Sequence, residues 1–550
     1  MKKLVIFALV ALTFAGCKEG QGFLDHEPDM RAKIDTKEKV RLLLVSAYTD
    51  GNSAALLEFS SDNVIDNNAP DAVGHCRKLL PLDKMYDEIF AWQPVVSSGQ
   101  QDSPKHMWDS HYTAIASANE ALLAIEELEK QGINMDAEKG EALLVRAYHH
   151  FLLSMIFCQA YRTDELSAND LGIVYMTKPE TTVKPQYTRP SLTETYKHIQ
   201  EDLEEGLKYV SDEYYSVPKY HFNVFAAHAF AARFYLYTRQ WDKVIEHADI
   251  VLSTDPKTAQ SRLFDHYNEH IVCTDIEENL NAWIDPKSPS NLLLYTTMSQ
   301  VPYTVFSDYG RYQSKDDAIN YALTGAGPCW KNRYLTGAMS IWSIGSDQYG
   351  SFLGKFFYLF EYTDKVNGYG FIHAVTRAFT SEETLMCRAE AKAHKNDLNG
   401  AIEDLKIWCE NMNVQKEVMQ MKKDSTVDLT YEKIKTFYID QNLGTPYAPV
   451  LHNEDMVPGW TITEEQLPVI YACLHFRRIE TFHDGLRFQD LKRYGIEISH
   501  KQGTNPVDYL RWDDPRRAIQ LPQEVILAGM TPNPTTKLSL PKESVSIVKK

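Results

Sequence analysis

The chain carries 75 Asp and Glu residues. Acid/base hydrolysis of a glycosidic bond needs only two carboxyl groups about 5 to 9.5 Å apart. No spacing singles out such a pair, so no catalytic residue is assigned and the expectation is a protein without enzymatic activity. His149 and His150 are adjacent in a helical pattern and cannot share a face, which argues against a two-histidine metal site there. No HExxH, Walker, GxGxxG or GxSxG motif occurs, and Gly325-Ala326-Gly327 has neither the lysine nor the spacing to hold phosphate. No cofactor is expected; calcium stays open, since acids abound but no EF-hand loop is present. Seven cysteines follow Cys17, at positions 76, 158, 273, 329, 387, 409 and 473. Their odd number and irregular spacing make neither a disulfide framework nor a CxxC metal site, and buried thiols are expected.

Aromatic side chains are the group whose density stands out. Between Trp283 and Phe371 there are 19 in 89 residues, against 63 in the whole chain of 550. Gly and Pro punctuate this stretch, from Pro286 through Gly350, so long regular helices are not expected in it. Trp and Tyr rings present flat apolar faces with a polar edge, suited to stacking on sugar rings or peptide side chains. Side chains in loops are the more exposed ones. The candidate ligand contacts are therefore Trp92, Trp283, Tyr303, Tyr309, Tyr312 and Trp330, whereas Phe356, Phe357, Tyr358 and Phe360 read as core.

Lys2 and Lys3, an apolar run from Leu4 to Leu12, and Ala15-Gly16-Cys17 follow the order of a secretory leader. Phe14-Ala15-Gly16-Cys17 resembles a bacterial lipoprotein box, with Phe14 where Leu is more usual. Acylation of Cys17 would hold the protein at a membrane, because each buried methylene contributes about 0.8 kcal/mol. The expected organisation is a signal peptide (1–16), an anchor and tether (17–30), and a single domain (31–550).

The elements that must position these residues are mainly helical. Apolar residues recur at three- and four-residue spacing from Glu38 to Leu57, Trp108 to Glu129 and Ala137 to about Tyr161. Ser191 with Glu194 reads as a capping box opening a helix to Val210. An internal echo follows: Trp241, Val244, Ala248 and Val251 repeat the spacing of Leu398, Ala401, Leu405 and Trp408, with Ala232 and Ala389 each twelve residues before Val244 and Ala401. This is tetratricopeptide-like geometry, a small residue on one helix letting the next pack closely. Helical repeats are placed at about 31–60, 105–252, 377–410 and 465–495, and irregular ligand-face segments at about 61–104, 253–376 and 411–464. With 57 Lys and Arg the formal net charge is −18, which repels phosphate backbones and excludes nucleic acid as an expected partner.

Several blocks in order resemble the SusD/RagB family of nutrient-binding outer-membrane lipoproteins of Bacteroidota. They are the box ending at Cys17, Tyr112–Glu127, Glu141–Phe157, Asp202–Leu207, Ala226–Leu252, Arg377–Leu405, Phe476–Gly495 and Pro515–Pro522 before Asn533-Pro534. The family's usual Gly and Pro after the long second helix are here Cys158-Gln159-Ala160. The resemblance implies a mainly α fold, with tetratricopeptide-like helix pairs forming a right-handed helical scaffold and an irregular, aromatic-rich insertion of loops and short strands. It implies a lipid-anchored protein on the outer face of the outer membrane that captures oligosaccharides or polysaccharides for a SusC-like TonB-dependent transporter. The alternative is a RagB-like protein capturing peptides for the same kind of partner. Neither the glycan nor its linkage is legible. Arg477, Arg478, Glu480, Asp484, Arg487 and Asp490 are expected to form a partly buried ion-pair network.

Overall fold

The computed structural model describes residues 33–266, 276–299 and 359–536, apart from 72, 98, 183–184, 413, 418–419 and 424–426, with short pieces at 310–314, 326–330, 341–343 and 351–353. The leader and Cys17 lie outside the described residues.

The first helices are α1 (Lys37–Val45), α2 (Ala54–Phe59) and α3 (Met85–Phe90). Between α1 and α2 the chain turns at Gly51-Asn52, where Thr49 Oγ1 accepts the Gly51 N–H and Asn52 Oδ1 accepts the Ala54 N–H. Two long helices follow, α4 (Pro104–Lys130) and α5 (Asp136–Phe157). Ser103 caps α4 by accepting the His106 N–H, with Pro104 in the first turn where its missing donor costs nothing. Helix α5 stops at Phe157, short of the expected Tyr161, because Cys158 adopts an extended backbone. Its companion α6 (Leu192–Tyr209) opens with the expected capping box, both reciprocal bonds being present. The two helices approach closely at Gly140 and Gly206: a Cβ on Gly140 would stand 2.6 Å from the Val210 nitrogen, and one on Gly206 2.8 Å from Leu144 Cγ.

The echoed pairs are α7 (Val224–Tyr237) with α8 (Trp241–Leu252), and α10 (Ser381–His394) with α11 (Leu398–Met412), separated in sequence by α9 (Ile276–Trp283). Ala232, Val244, Ala248 and Val251, and likewise Ala389, Ala401, Leu405 and Trp408, are all fully buried. The turns match as well. Arg239 (φ 59°) and Asn396 (φ 64°) take the left-handed conformation seven residues after the paired alanines. The next N–H, of Gln240 or Asp397, returns to the carbonyl of Tyr235 or Lys392. Despite the insertion, α8 and α10 pack against each other, so the two copies are neighbours in space. Arg388 ties them, reaching Asp404 at 2.7 Å, Asp249 at 2.8 Å and the Ser253 carbonyl at 2.7 Å.

Helices α12 (Leu467–Glu480) and α13 (Leu486–Arg493) complete the body. The expected charge network is largely present. Arg477 meets Glu383 at 2.9 Å and Asp490 at 3.2 Å, while Arg478 and Arg487 converge on Asp62. Glu480 instead accepts the Trp408 indole N–H at 3.0 Å, and Asp484 is exposed. Beyond the expected six, Arg493 pairs with Glu390 and Asp490, and Arg146 with Asp202.

The insertion contributes a three-stranded antiparallel sheet: β2 (Asn291–Thr297), β4 (Leu359–Asp364) and β5 (Tyr369–Thr380), in the order β2-β5-β4. Tyr295 lies opposite Thr376, and Thr296 opposite Val375. A two-residue ladder joins β1 (Ile65–Asp66) to β3 (Tyr312–Gln313), stitching the first irregular segment to the insertion. The described part is thus mainly helical, with its longest strands in the insertion and short two-stranded ladders elsewhere, among them Val414–Glu417 with Gln420–Lys423 and Ile498–His500 with Asp508–Leu510.

Candidate functional site

Four of the six aromatic residues chosen as ligand contacts are packing residues, which corrects that expectation. Trp92 is 7% exposed, donates its indole N–H to the Ser60 carbonyl at 3.0 Å and stacks on His500. Trp283 is 4% exposed, stacked on Phe264 with ring centroids 4.3 Å apart and covered by the Arg377 guanidinium. Tyr312, 2% exposed, donates to Asp87 at 2.6 Å and packs on Phe90. Trp330, 7% exposed, lies against Phe476 and Trp408. The reason is mechanical. Irregular segments lack a repeating apolar face, so single large rings, each burying roughly 150 to 250 Å², anchor them to the body. Tyr303 and Tyr309 lie outside the described residues. Conversely Phe360, expected in the core, is exposed together with Tyr362 and Tyr369 on the β4–β5 hairpin.

An open cleft of about 680 Å³ lies where the insertion sheet meets the N-terminal helices. Its walls come from segments remote in sequence. The end of α1 supplies Val45, the turn after it Tyr48, Thr49 and Asp50, β2 with β5 supplies Tyr295, Thr296 and Val375, and the segment following α9 supplies Ile284, Asp285 and Pro286. Asn281 of α9 and Tyr220, from the 3-10 turn Pro218–Tyr220, complete it.

Each tyrosine is held differently. Tyr48 donates to Glu141 Oε1 at 2.7 Å and accepts the Phe222 N–H at 2.7 Å, which fixes its ring at the mouth of the scaffold. Burial and the neighbouring Glu141 carboxylate raise its pKa well above the usual phenol range, so it stays neutral. Tyr295 contacts the Tyr148 hydroxyl at 3.3 Å, with its ring centroid 6.4 Å from that of Tyr48. Tyr220 is 48% exposed. The Asp50 carbonyl accepts the Met298 N–H at 2.7 Å, pinning the turn to the segment after β2, while its carboxylate faces outward beside His106. Asp285 accepts the Lys287 N–H. Asn281 and Thr296 are exposed.

This set combines ring faces with carboxylate, amide and hydroxyl groups at an accessible edge, the combination that recognises a polyhydroxylated ligand. The sequence reading singled out none of these residues as ligand contacts, although Asn281, Asp285, Tyr295, Thr296 and Val375 fall within the ligand-face segment expected at about 253–376. Tyr220 follows a proline in a short loop, the kind of context used to choose the other candidates; Tyr48 and Tyr295 lie in a helix–turn and a strand and carry no comparable signal. Roughly 20 Å along β5 from Val375, judged by strand rise, the exposed Tyr362 and Tyr369 rings extend the aromatic surface.

A second cavity, about 600 Å³, is lined by Trp108, Tyr112, Met176, Tyr187, Val525 and Met530 among others. Its polar atoms are largely engaged: Tyr112 donates to the Val174 carbonyl and Asn119 to that of Met176. Its surface is mainly apolar, with Lys178, Glu180 and Gln186 among the polar groups of its lining. Among the described residues no group of three or more His, Cys, Asp or Glu is arranged to hold a metal, and no helix is long and apolar enough to cross a membrane.

The helix pairs with an irregular insertion define the class: this is the SusD-like fold. A SusD superfamily protein from Bacteroides fragilis shares it at a TM-score of 0.58 and 16% identity, over 89% of this chain and 96% of that one. A SusD superfamily protein from Bacteroides thetaiotaomicron gives 0.59 at 16% identity, over 90% and 99%. A putative sugar binding protein from Bacteroides vulgatus gives 0.59 at 16% identity, over 91% and 98%. Residues 22–236 match the SusD-like family model described as "Starch-binding associating with outer membrane". No curated protein matches the chain in sequence. These likenesses show the fold that this chain shares with SusD-like proteins, and a SusD-like sequence signature over residues 22–236.

Proposed function

We propose that the protein captures glycans at the cell surface without chemically altering them, and passes them to a TonB-dependent transporter of the SusC type. The observation that carries the reading is the cleft, where Tyr48, Tyr220 and Tyr295 stand beside Asp50, Asn281 and Asp285. It is supported by the family's description as starch-binding and outer-membrane-associated, and by the sugar-binding designation of a protein of the same fold. Acylated Cys17 holds the protein in the outer membrane, facing the exterior, and the acyl chains there are its lipid partner. The rings supply stacking surface and the polar groups select hydroxyl positions. Affinity at one such open site is modest, and presentation of many copies on one surface compensates.

The test is titration of the soluble chain, starting after Lys18, against plant, host and microbial oligosaccharides with a peptide pool alongside. Binding of a glycan is expected, and Tyr220→Ala should weaken it by about two- to tenfold while melting temperature and helicity hold, since a stacked ring contributes about 0.5 to 1.5 kcal/mol. Undiminished glycan affinity in the variant would move the site elsewhere on the molecule. A peptide response without a glycan response would replace the reading with peptide capture.

A further inference from the structure

The pentapeptide Ala326–Trp330 of the insertion closes on itself and seats on the helical body. The Gly327 N–H donates to the Trp330 carbonyl at 3.1 Å. The Trp330 ring lies directly over Gly327, where even a Cβ would stand 2.1 Å from it. That ring is buried against Phe476 of α12, 5.2 Å away, and Trp408 of α11, 6.4 Å away. The contact therefore sets Cys329-Trp330 of the turn against Trp408-Cys409 of the helix, cysteine to cysteine and tryptophan to tryptophan. Cys329 Sγ stands 3.6 Å from Cys409 Sγ. Cys409 is fully buried, and Cys329 is partly exposed.

We propose that Cys329 and Cys409 form a disulfide in the exported protein, cross-linking the insertion to α11. Three observations meet here. The sulfurs are already in contact, and a disulfide needs them about 2.0 Å apart, a displacement within the reach of side-chain rotation. The tryptophan pair beside them fixes the turn without help from the bond, so closure costs little added order. The leader sends the chain to a compartment in which disulfides persist. The two residues are also 80 apart in sequence, and a bridge over so long a loop restricts the unfolded chain strongly.

The chemistry is thiol–disulfide exchange with a disulfide-bearing oxidant, a dithiol oxidase of the export compartment or glutathione disulfide. The more accessible Cys329, as thiolate, attacks one sulfur of the oxidant, and the other leaves as a thiolate. Cys409, which burial and the neighbouring Cys329 hold well above the usual thiol pKa, then attacks the Cys329 sulfur. Its proton goes to the departing thiolate. Two protein thiols become one disulfide, and the oxidant's disulfide becomes two thiols. Cys158, Cys387 and Cys473 are each buried, which shields them from the same oxidant.

The test uses the full chain isolated from cell envelopes, alkylated under denaturing conditions without reductant, then digested and mapped by mass. The expected result is one peptide pair joining Cys329 to Cys409, lighter than the sum of its reduced parts by two hydrogens, with two fewer alkylated thiols than after reduction. Recovery of both residues alkylated, or of either in another pairing, overturns the proposal. Purified reduced chain treated with glutathione disulfide should acquire the same link. In Cys329→Ser, Cys409 should remain alkylatable after that treatment; its loss into any other bridge would also overturn the assignment.

Discussion

Glu390 shows how single side chains hold this fold. It is fully buried on α10, where it receives Arg493 at 2.8 Å and the Tyr494 hydroxyl at 2.7 Å. Burial by itself would raise its pKa, but the guanidinium groups of Arg493 and Arg477 outweigh that and bring it down to about 2 from an ordinary 4.5. A carboxylate with a depressed folded-state pKa contributes stability that is complete above the unfolded value and disappears as pH falls toward the folded one. Glu390→Ala should therefore cost about 3 to 5 kcal/mol near neutrality, because it leaves Arg493 buried with less than its charge compensated. Urea unfolding at a series of pH values should show the gap between wild type and variant narrowing from pH 4.5 toward pH 2. A gap constant with pH would mean that Glu390 acts through packing alone. The same residue scale separates Tyr220, whose exposed ring is free to be removed without loss of fold, from Trp92, Trp283, Tyr312 and Trp330, whose truncation would open cavities.

Between elements, the decisive contacts are those where a small residue admits a backbone. Gly140 sits inside α5, so in isolation Gly140→Ala would favour the helix by about 1 kcal/mol. The added Cβ would nevertheless meet the Tyr209 carbonyl carbon at 2.7 Å and the Val210 nitrogen at 2.6 Å, and overpacking of this kind costs about 1 to 3 kcal/mol. The second effect should win, giving a net loss of stability by chemical denaturation; a more stable variant would show that α5 and α6 can separate freely. Element order, the capping box of α6 and the repeat spacing of the α7–α8 and α10–α11 pairs were legible because helical periodicity and capping are local. That the two echoed pairs stack directly on one another, with Arg388 reaching Asp249 and Asp404 together, was not, since the insertion between them hides adjacency.

At the scale of the whole molecule the net charge of −18 distinguishes the two kinds of ligand. A neutral oligosaccharide bound by stacking and hydrogen bonds should keep its affinity when ionic strength rises from low salt to roughly 0.5 M, whereas a basic peptide drawn by Asp50, Asp285 and the acidic surface should lose much of its own. Titration at both ionic strengths decides the matter: a steep fall in glycan affinity with salt would show that charge, not the aromatic cleft, governs capture.

The helical scaffold and the likeness to SusD-like proteins were determined by the sequence, because both are carried by periodic burial and by blocks of residues such as Arg146, Asp202, Arg388 and Asp404. Those residues prove to be buried ion pairs between helices. The ligand site was decided only by tertiary structure. Aromatic density and loop context mark where a chain is irregular, and an irregular chain spends its largest rings on anchoring itself, so density pointed to Trp330 and loop context to Trp92. Which rings stay exposed depends on how remote segments meet. Tyr48, Tyr220 and Tyr295 come together because the turn after α1, a 3-10 turn and β2 converge on one cleft, and no spacing along the chain encodes that convergence.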